Sequence, residues 1–79
     1  MKGNTDEAFI LEQRKQLAST LKNLREAKGL SQDAFGELVG MNRTTVSKIE
    51  AGKWNMGIDT LILFASKLGV EVILGPPAP

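Results

Sequence analysis

A glycine between two short amphipathic segments is the most constraining feature of this chain, and it lies within residues 31–53. Both segments repeat apolar residues three or four positions apart, the spacing of a helix with one buried side. The apolar residues are Phe35, Leu38 and Val39 in the first segment and Val46 and Ile49 in the second. Gly40 separates the segments at a point where a left-handed backbone would turn the chain sharply. The pattern predicts two helices joined by a tight turn.

Polar residues at the start of each segment predict where the two helices begin. The Ser31 hydroxyl can accept a hydrogen bond from the backbone N–H of Ala34, and Asn42 can cap the second segment in the same way. We therefore expect one helix from the Ser31 cap to Val39, and the next from the Asn42 cap to Ile49.

A longer apolar pattern flanks the central pair on each side. Residues 9–28 predict a first helix that ends at Gly29, and residues 58–68 predict a fourth helix that ends at Gly69. The residues expected to face inward are Leu17, Leu21, Leu24 and Lys28 in the first helix, and Ile58, Leu61, Ile62, Ala65 and Leu68 in the fourth. Together these patterns predict a mainly α domain.

The end of the chain has the composition of a strand. The segment VEVIL is rich in β-branched residues and is followed by glycine and proline, which predicts a short strand over residues 70–75 and a tail over residues 76–79. No other segment offers this strand a partner, whereas a second copy of the chain would. Antiparallel pairing would then place the dimer contacts at Val70, Val72 and Leu74. The alternative is an apolar tail packed on its own domain.

Composition limits the chemistry that is available. The chain of 79 residues has no cysteine and no histidine, which excludes a disulfide, a thiolate zinc site and any catalytic triad built on histidine. We expect no catalytic site, no cofactor and no metal, since no carboxylates or Ser-Lys pair suggest a shared pocket. The longest apolar run, residues 61–65, is too short to span a bilayer, which predicts a cytoplasmic protein. We expect one domain over residues 9–69, after a flexible N-terminus over residues 1–8.

The segment QDAFGELVGMNRTTVSKIEAG resembles the helix-turn-helix of the Cro/C1 repressor class, also called the XRE-like family. The resemblance rests on Gln32, on a small residue at Gly36 and on Gly40 in the turn, and it extends over roughly residues 17–68. The apolar positions that match are Phe35, Val39, Met41, Val46 and Ile49. It implies a lambda-repressor-like DNA-binding domain of four to five helices. Family members usually have alanine where this chain has Gly36, which suggests a slightly loose second helix because glycine costs about 1 kcal/mol of helix propensity.

The resemblance also implies how this domain would contact DNA. The residues expected to read bases in the major groove are Arg43, Thr44, Thr45 and Lys48, and those expected to bind the backbone are Gln32, Asn42 and Lys53. Arg43 ranks first because a guanidinium can donate two hydrogen bonds to guanine. Arg25 would pair with Glu50 and so remove a carboxylate from the DNA face. The net charge of only +1 is then no objection to DNA binding.

The function implied is a homodimeric, sequence-specific transcription regulator, a repressor, bound to a pseudo-palindromic site on double-stranded DNA. The alternative is an antitoxin-type module that holds a toxin protein and autoregulates its operon, because a strand after the fourth helix resembles the antitoxin branch of the family. Two interpretations of Trp54 also stay open. Its indole could lie against a DNA sugar or phosphate, or it could pack against its own domain.

Overall fold

The computed structural model describes residues 4–76, and four α-helices account for most of them. The helices are α1 (Asn4–Ala27), α2 (Gln32–Val39), α3 (Arg43–Glu50) and α4 (Gly57–Lys67). Helix α3 packs against both α1 and α2, and α2 packs against α4. The predicted mainly α architecture is confirmed. None of the helices within residues 4–76 is long and apolar enough to cross a membrane.

Side-chain caps begin the two central helices. Ser31 Oγ accepts a hydrogen bond from the Ala34 N–H at 3.0 Å, and Asn42 Oδ1 accepts one from the Thr45 N–H at 2.8 Å. Each cap satisfies a backbone donor that the first turn of a helix leaves without an intrahelical partner. The predicted caps are confirmed.

The turn between α2 and α3 depends on two glycines. Gly40 has a φ of +73°, and the Met41 N–H donates to the carbonyl oxygen of Gly36 at 2.8 Å. This bond brings the backbone back across α2, so that a Cβ at Gly36 would collide with the Met41 carbonyl oxygen. The structure thus gives glycine at position 36 a steric reason, while the slightly loose helix suggested by its propensity stays a prediction.

Two phenylalanines form the centre of the core. The rings of Phe35 in α2 and Phe64 in α4 lie edge to face with their centroids 4.9 Å apart, and both side chains are fully buried. Such a pair contributes about 0.5–1.5 kcal/mol beyond the burial of its area. The buried apolar residues around it are Leu21, Val39, Val46, Ile49 and Leu68. This core fixes the inner sides of α2, α3 and α4 together.

The inward faces of three helices differ from the predicted ones. Five residues that were predicted to be buried are exposed, namely Leu17 in α1, Lys28 just after α1, Leu38 in α2, and Ile58 and Ile62 in α4. Ala18, Arg25 and Phe64 are buried instead. Helix α4 is apolar around most of its circumference, so the helical spacing fits two faces equally well. Contact with Phe35 selects the face that contains Phe64.

The first helix extends over residues 4–8, where a flexible segment before a helix start at Phe9 was predicted. Asp6 and Glu7 lie in its first turn, where carboxylates are stabilised by the partial positive charge of a helix N-terminus. No proline or glycine interrupts the helix. The rest of the segment predicted to be flexible, residues 1–3, lies outside the described residues.

The chain after α4 forms no strand anywhere in residues 70–76, so the strand predicted over residues 70–75 is not supported. A strand needs a neighbouring strand for its backbone hydrogen bonds, and the part of the chain that the structure describes provides none. The apolar side chains of this segment stay exposed, and the exposed fraction of Leu74 reaches 95%. Most of the predicted tail, residues 77–79, lies outside the described residues.

Candidate nucleic-acid interface

A buried ion pair holds α1 against the end of α3. Arg25 Nε lies 2.7 Å from Glu50 Oε2 and Arg25 Nη2 lies 3.0 Å from Glu50 Oε1. The third guanidinium nitrogen donates to the carbonyl oxygen of Leu30. The pKa of Arg25 is raised because Glu50 accepts its hydrogen bonds, which outweighs the opposing effect of burial. The predicted pairing of Arg25 with Glu50 is confirmed.

Gln32 joins this pair from the start of α2. Its Nε2 donates to Glu50 Oε1 at 3.1 Å, and its side chain is half-buried. The sequence interpretation assigned Gln32 to a phosphate and missed this link, which no local pattern signals. Because an amide nitrogen carries two N–H groups, the bond to Glu50 leaves one of them for another acceptor.

The outward face of α3 and its cap is polar and basic. The exposed side chains on it are Asn42, Arg43, Thr44, Ser47 and Lys48, and Thr45 is half-buried at its edge. Ser47 was not among the predicted site residues. Helical spacing is the signal that finds it, because Ser47 lies three residues after Thr44 and four after Arg43. The face offers a guanidinium, an ammonium group, an amide and several hydroxyls.

A tight turn at the end of α3 brings Lys53 back beside Lys48. Gly52 has a φ of +73° and donates to the carbonyl oxygen of Ile49 at 3.0 Å, while the Lys53 N–H donates to the carbonyl oxygen of Lys48 at 3.1 Å. Helix α1 closes the other side of the turn, since a Cβ at Gly52 would lie 2.8 Å from Lys15 Cγ. The backbone of Lys53 is therefore fixed relative to α3.

A cleft of about 550 Å³ lies beside the end of α3, and we call it the basic cleft. Its lining residues are Thr45, Lys48, Lys53 and Trp54. It therefore brings together two predicted base-reading residues and one predicted backbone contact. Trp54 is 48% exposed and is not part of the buried core.

Trp54 also borders a second depression, which we call the apolar groove. This groove has a volume of about 460 Å³, and its apolar lining includes Phe9, Ile10, Leu17, Met56 and Ile58. The indole thus separates the apolar groove from the basic cleft.

Positive charge dominates the surface over residues 42–53. Arg43, Lys48 and Lys53 are exposed, whereas Glu50 is the one carboxylate in this stretch and is buried. The ion pair with Arg25 neutralises that carboxylate, so three cations face solvent without a competing anion. A surface with this charge distribution attracts a polyanion even though the whole chain carries a net charge of only +1.

Comparisons with known proteins agree with this geometry. A family model described as "Helix-turn-helix" matches residues 21–73. A protein of Neisseria meningitidis serogroup B, named as a hypothetical transcription factor, is 35% identical over 63 residues, which is 77% of this chain and 59% of that protein. The control protein C.SmaI of Serratia marcescens is 32% identical over 56 residues, which is 71% of this chain and 67% of that protein. The chain thus spans less than two thirds of the Neisseria protein.

A solved structure has the same arrangement of helices. The crystal structure of the restriction-modification controller protein C.AhdI from Aeromonas hydrophila matches with a TM-score of 0.71 and 32% identity, over 76% of this chain and 91% of that one. The similarity to the family also extends well beyond the turn at Gly40, since the family model matches residues 21–73. The chain therefore belongs to the helix-turn-helix family of the Cro/C1 type, the XRE-like family of DNA-binding transcription regulators.

Proposed function

We propose that this protein is a sequence-specific DNA-binding transcription regulator, a repressor, which inserts α3 into the major groove of double-stranded DNA. The strongest support is the outward face of α3, which is polar and basic while Val46 and Ile49 on its inner side are fully buried. In a helix-turn-helix the second helix of the motif enters the major groove and presents its N-terminal residues to the bases. The cap at Asn42 places Arg43 at that end of α3.

The side chains on the outward face of α3 have different roles in this proposal. The base-reading residues in this proposal are Arg43, Thr44, Thr45 and Lys48. Arg43 has the leading role because its guanidinium matches the O6 and N7 acceptors of guanine. Thr44 and Thr45 offer hydroxyls for bases and methyl groups for thymine.

Three other residues would bind phosphates and set the position of α3 on the duplex. Asn42 uses its side-chain oxygen for the cap, so its amide N–H groups are the ones that face DNA. Gln32 keeps one N–H beyond its bond to Glu50, and Lys53 is exposed just after α3. These contacts strengthen binding to any sequence.

We further propose that the regulator acts as a homodimer on a pseudo-palindromic operator. Val70, Val72 and Leu74 are exposed after α4, and antiparallel pairing of two such segments would cover them and satisfy their backbone groups. A two-fold dimer would place the two α3 helices in successive major grooves, about 34 Å apart. Because this pairing needs two chains, it is compatible with the absence of a strand from residues 4–76 of one chain.

A protein-binding role is the second candidate. The apolar groove beside Trp54 exposes Phe9 and Ile58, which are 64% and 70% exposed, and exposed apolar patches often mark protein contacts. An antitoxin-type module would hold a toxin protein and also bind DNA. Co-purification of a stoichiometric second protein from the native host would favour this candidate, whereas a chain that purifies alone would favour the regulator.

Selection of bound duplexes from a random pool tests the proposed function. The expected result is enrichment of one site with two related half-sites, centred about 10 base pairs apart. A labelled duplex that carries this site should bind more tightly than a scrambled duplex of the same length and composition. Equal binding of the two duplexes would contradict sequence-specific recognition.

A further inference from the structure

We propose that the basic cleft binds one phosphodiester of the DNA backbone together with its deoxyribose, and that Trp54 is a DNA-contacting residue. This inference rests on the proposed function and adds a binding site to it. Three properties of the cleft carry it, namely its hydrogen-bond donors, its indole wall and its position beside the outward face of α3.

The polar side chains of the basic cleft all offer hydrogen-bond donors. The ammonium groups of Lys48 and Lys53 and the indole N–H of Trp54 can only donate, and the Thr45 hydroxyl can donate as well. The side chains of Lys48, Lys53 and Trp54 form no hydrogen bond or ion pair within residues 4–76. A cleft with two positive charges and a donor on each lining side chain fits an anion with several acceptor oxygens, which is the chemistry of a phosphate.

The indole of Trp54 adds an apolar wall that a free anion would not use. It is 48% exposed, whereas the aromatic rings of Phe35 and Phe64 are fully buried in the core. An indole combines a large apolar surface with one N–H donor, and it suits a ligand that is apolar in one part and polar in another. A deoxyribose beside its phosphate is such a ligand. Lys53 would bind the phosphate, to which Lys48 adds a positive charge from its base-reading position on α3, while the indole covers the sugar and donates to a phosphate oxygen.

The position of the basic cleft places this phosphodiester next to the bases that α3 would read. Thr45 and Lys48 belong to α3, and Lys53 is tied to the Lys48 carbonyl oxygen through its backbone N–H at 3.1 Å. A duplex seated against the outward face would therefore pass its backbone along the cleft. Because a sugar-phosphate contact carries no base identity, it would fix how α3 lies in the groove and would act on every sequence.

Trp54 is the only tryptophan of the chain, which has no tyrosine, so the tryptophan fluorescence comes from this one side chain. The experiment titrates the full chain with the selected duplex and with a scrambled one. Tryptophan fluorescence and its quenching by iodide are recorded beside the anisotropy of labelled DNA. We expect both duplexes to change the fluorescence and to protect Trp54 from iodide as they saturate.

Substitutions then test the contact itself. Trp54→Ala should weaken binding to both duplexes by about tenfold or more, the loss expected for a hydrogen bond to a charged group. Trp54→Phe keeps an apolar wall without the N–H and should give an intermediate loss. The matched control is Ile58→Ala, because Ile58 lines the apolar groove on the other side of Trp54 and is 70% exposed. This control should bind DNA like the wild type.

The outcomes separate this inference from the proposed function. If DNA anisotropy reports binding while Trp54 fluorescence and iodide quenching stay unchanged, the assignment of Trp54 as a DNA contact is wrong. The proposed function as a DNA-binding regulator is then unaffected. Wild-type affinity for Trp54→Phe and Trp54→Ala would also overturn it. If neither duplex binds, the proposed function and the cleft fail together. Denaturation midpoints of the variants identify any loss of affinity that comes from misfolding. If Trp54→Ala misfolds, the affinity of Trp54→Phe is the test of the contact.

Discussion

The guanidinium of Arg25 lies alongside the carboxylate of Glu50, with Nε 2.7 Å from Oε2 and Nη2 3.0 Å from Oε1. The pair joins α1 to the last residue of α3 and withdraws the only carboxylate of α3 from the outward face. Because the pKa of Arg25 is raised, its ionisation stabilises the folded chain at neutral pH, and this contribution is lost only in strongly alkaline solution. The pair of Arg25 and Glu50 therefore orients α3 and leaves the outward face of α3 with a positive charge.

Arg25→Met is expected to lower the free energy of unfolding by about 3–5 kcal/mol, because it leaves the Glu50 carboxylate buried without its charged partner. Urea denaturation followed by circular dichroism measures this loss. Glu26→Gln is the control, since Glu26 lies 4.0 Å from Arg25 but is 55% exposed, and it should change the free energy by less than about 1 kcal/mol.

The double variant Arg25→Met, Glu50→Leu keeps the test meaningful where Arg25→Met alone fails to fold. It removes both charges together and should recover much of the stability, as replacement of a buried ion pair by apolar residues often does. A single variant that is as stable as the wild type would contradict the structural role of the pair.

Gly36→Ala should destabilise the protein although alanine favours a helix by about 1 kcal/mol over glycine. The added Cβ meets the Met41 carbonyl oxygen, so the turn must shift, and overpacking of this kind costs about 1–3 kcal/mol. Glu37→Ala is the matched control because Glu37 is the next residue in α2 and is exposed. Thermal unfolding of both variants checks the prediction, and a higher midpoint for Gly36→Ala than for the wild type would show that the turn adapts freely.

Features set by a few neighbouring residues could be predicted from the sequence. The caps at Ser31 and Asn42 and the turn at Gly40 depend on side-chain and backbone chemistry within three or four residues, and all three are present as predicted. The pairing of Arg25 with Glu50 joins residues far apart in the sequence, and it could be predicted only because the chain resembles a known family. Local chemistry alone does not indicate it.

Features set by packing could not be predicted in this way. Leu38 and Ile62 fit a helical stripe yet are exposed, because the orientation of Phe35 and Phe64 decides which side of α2 and α4 is inside. The link from Gln32 to Glu50 and the meeting of Lys53 with Lys48 in the basic cleft likewise need the tertiary structure. The strand predicted over residues 70–75 is not supported, because a strand needs a neighbouring strand and residues 4–76 of one chain contain none.

Val72→Pro tests the proposed dimer contact. Proline removes a backbone donor from the segment after α4, so the solution mass is expected to fall from that of a dimer to that of a monomer. Val72 is 43% exposed and lies outside the buried core, so this change should leave the folded domain intact. The control Val72→Thr keeps the N–H and a β-branched side chain and should stay dimeric. A Val72→Pro variant with unchanged mass in analytical ultracentrifugation would place the interface elsewhere.

The most direct measurement compares Arg43→Ala with Lys53→Ala on the selected and the scrambled duplex over a range of salt concentrations. Both variants remove one exposed positive charge near α3. Arg43→Ala should lose about 1–3 kcal/mol of discrimination between the duplexes, because Arg43 is the residue proposed to read bases. Lys53→Ala should weaken binding to both equally and lower the salt slope by about one. An equal loss on both duplexes for Arg43→Ala would contradict the claim that α3 reads DNA sequence.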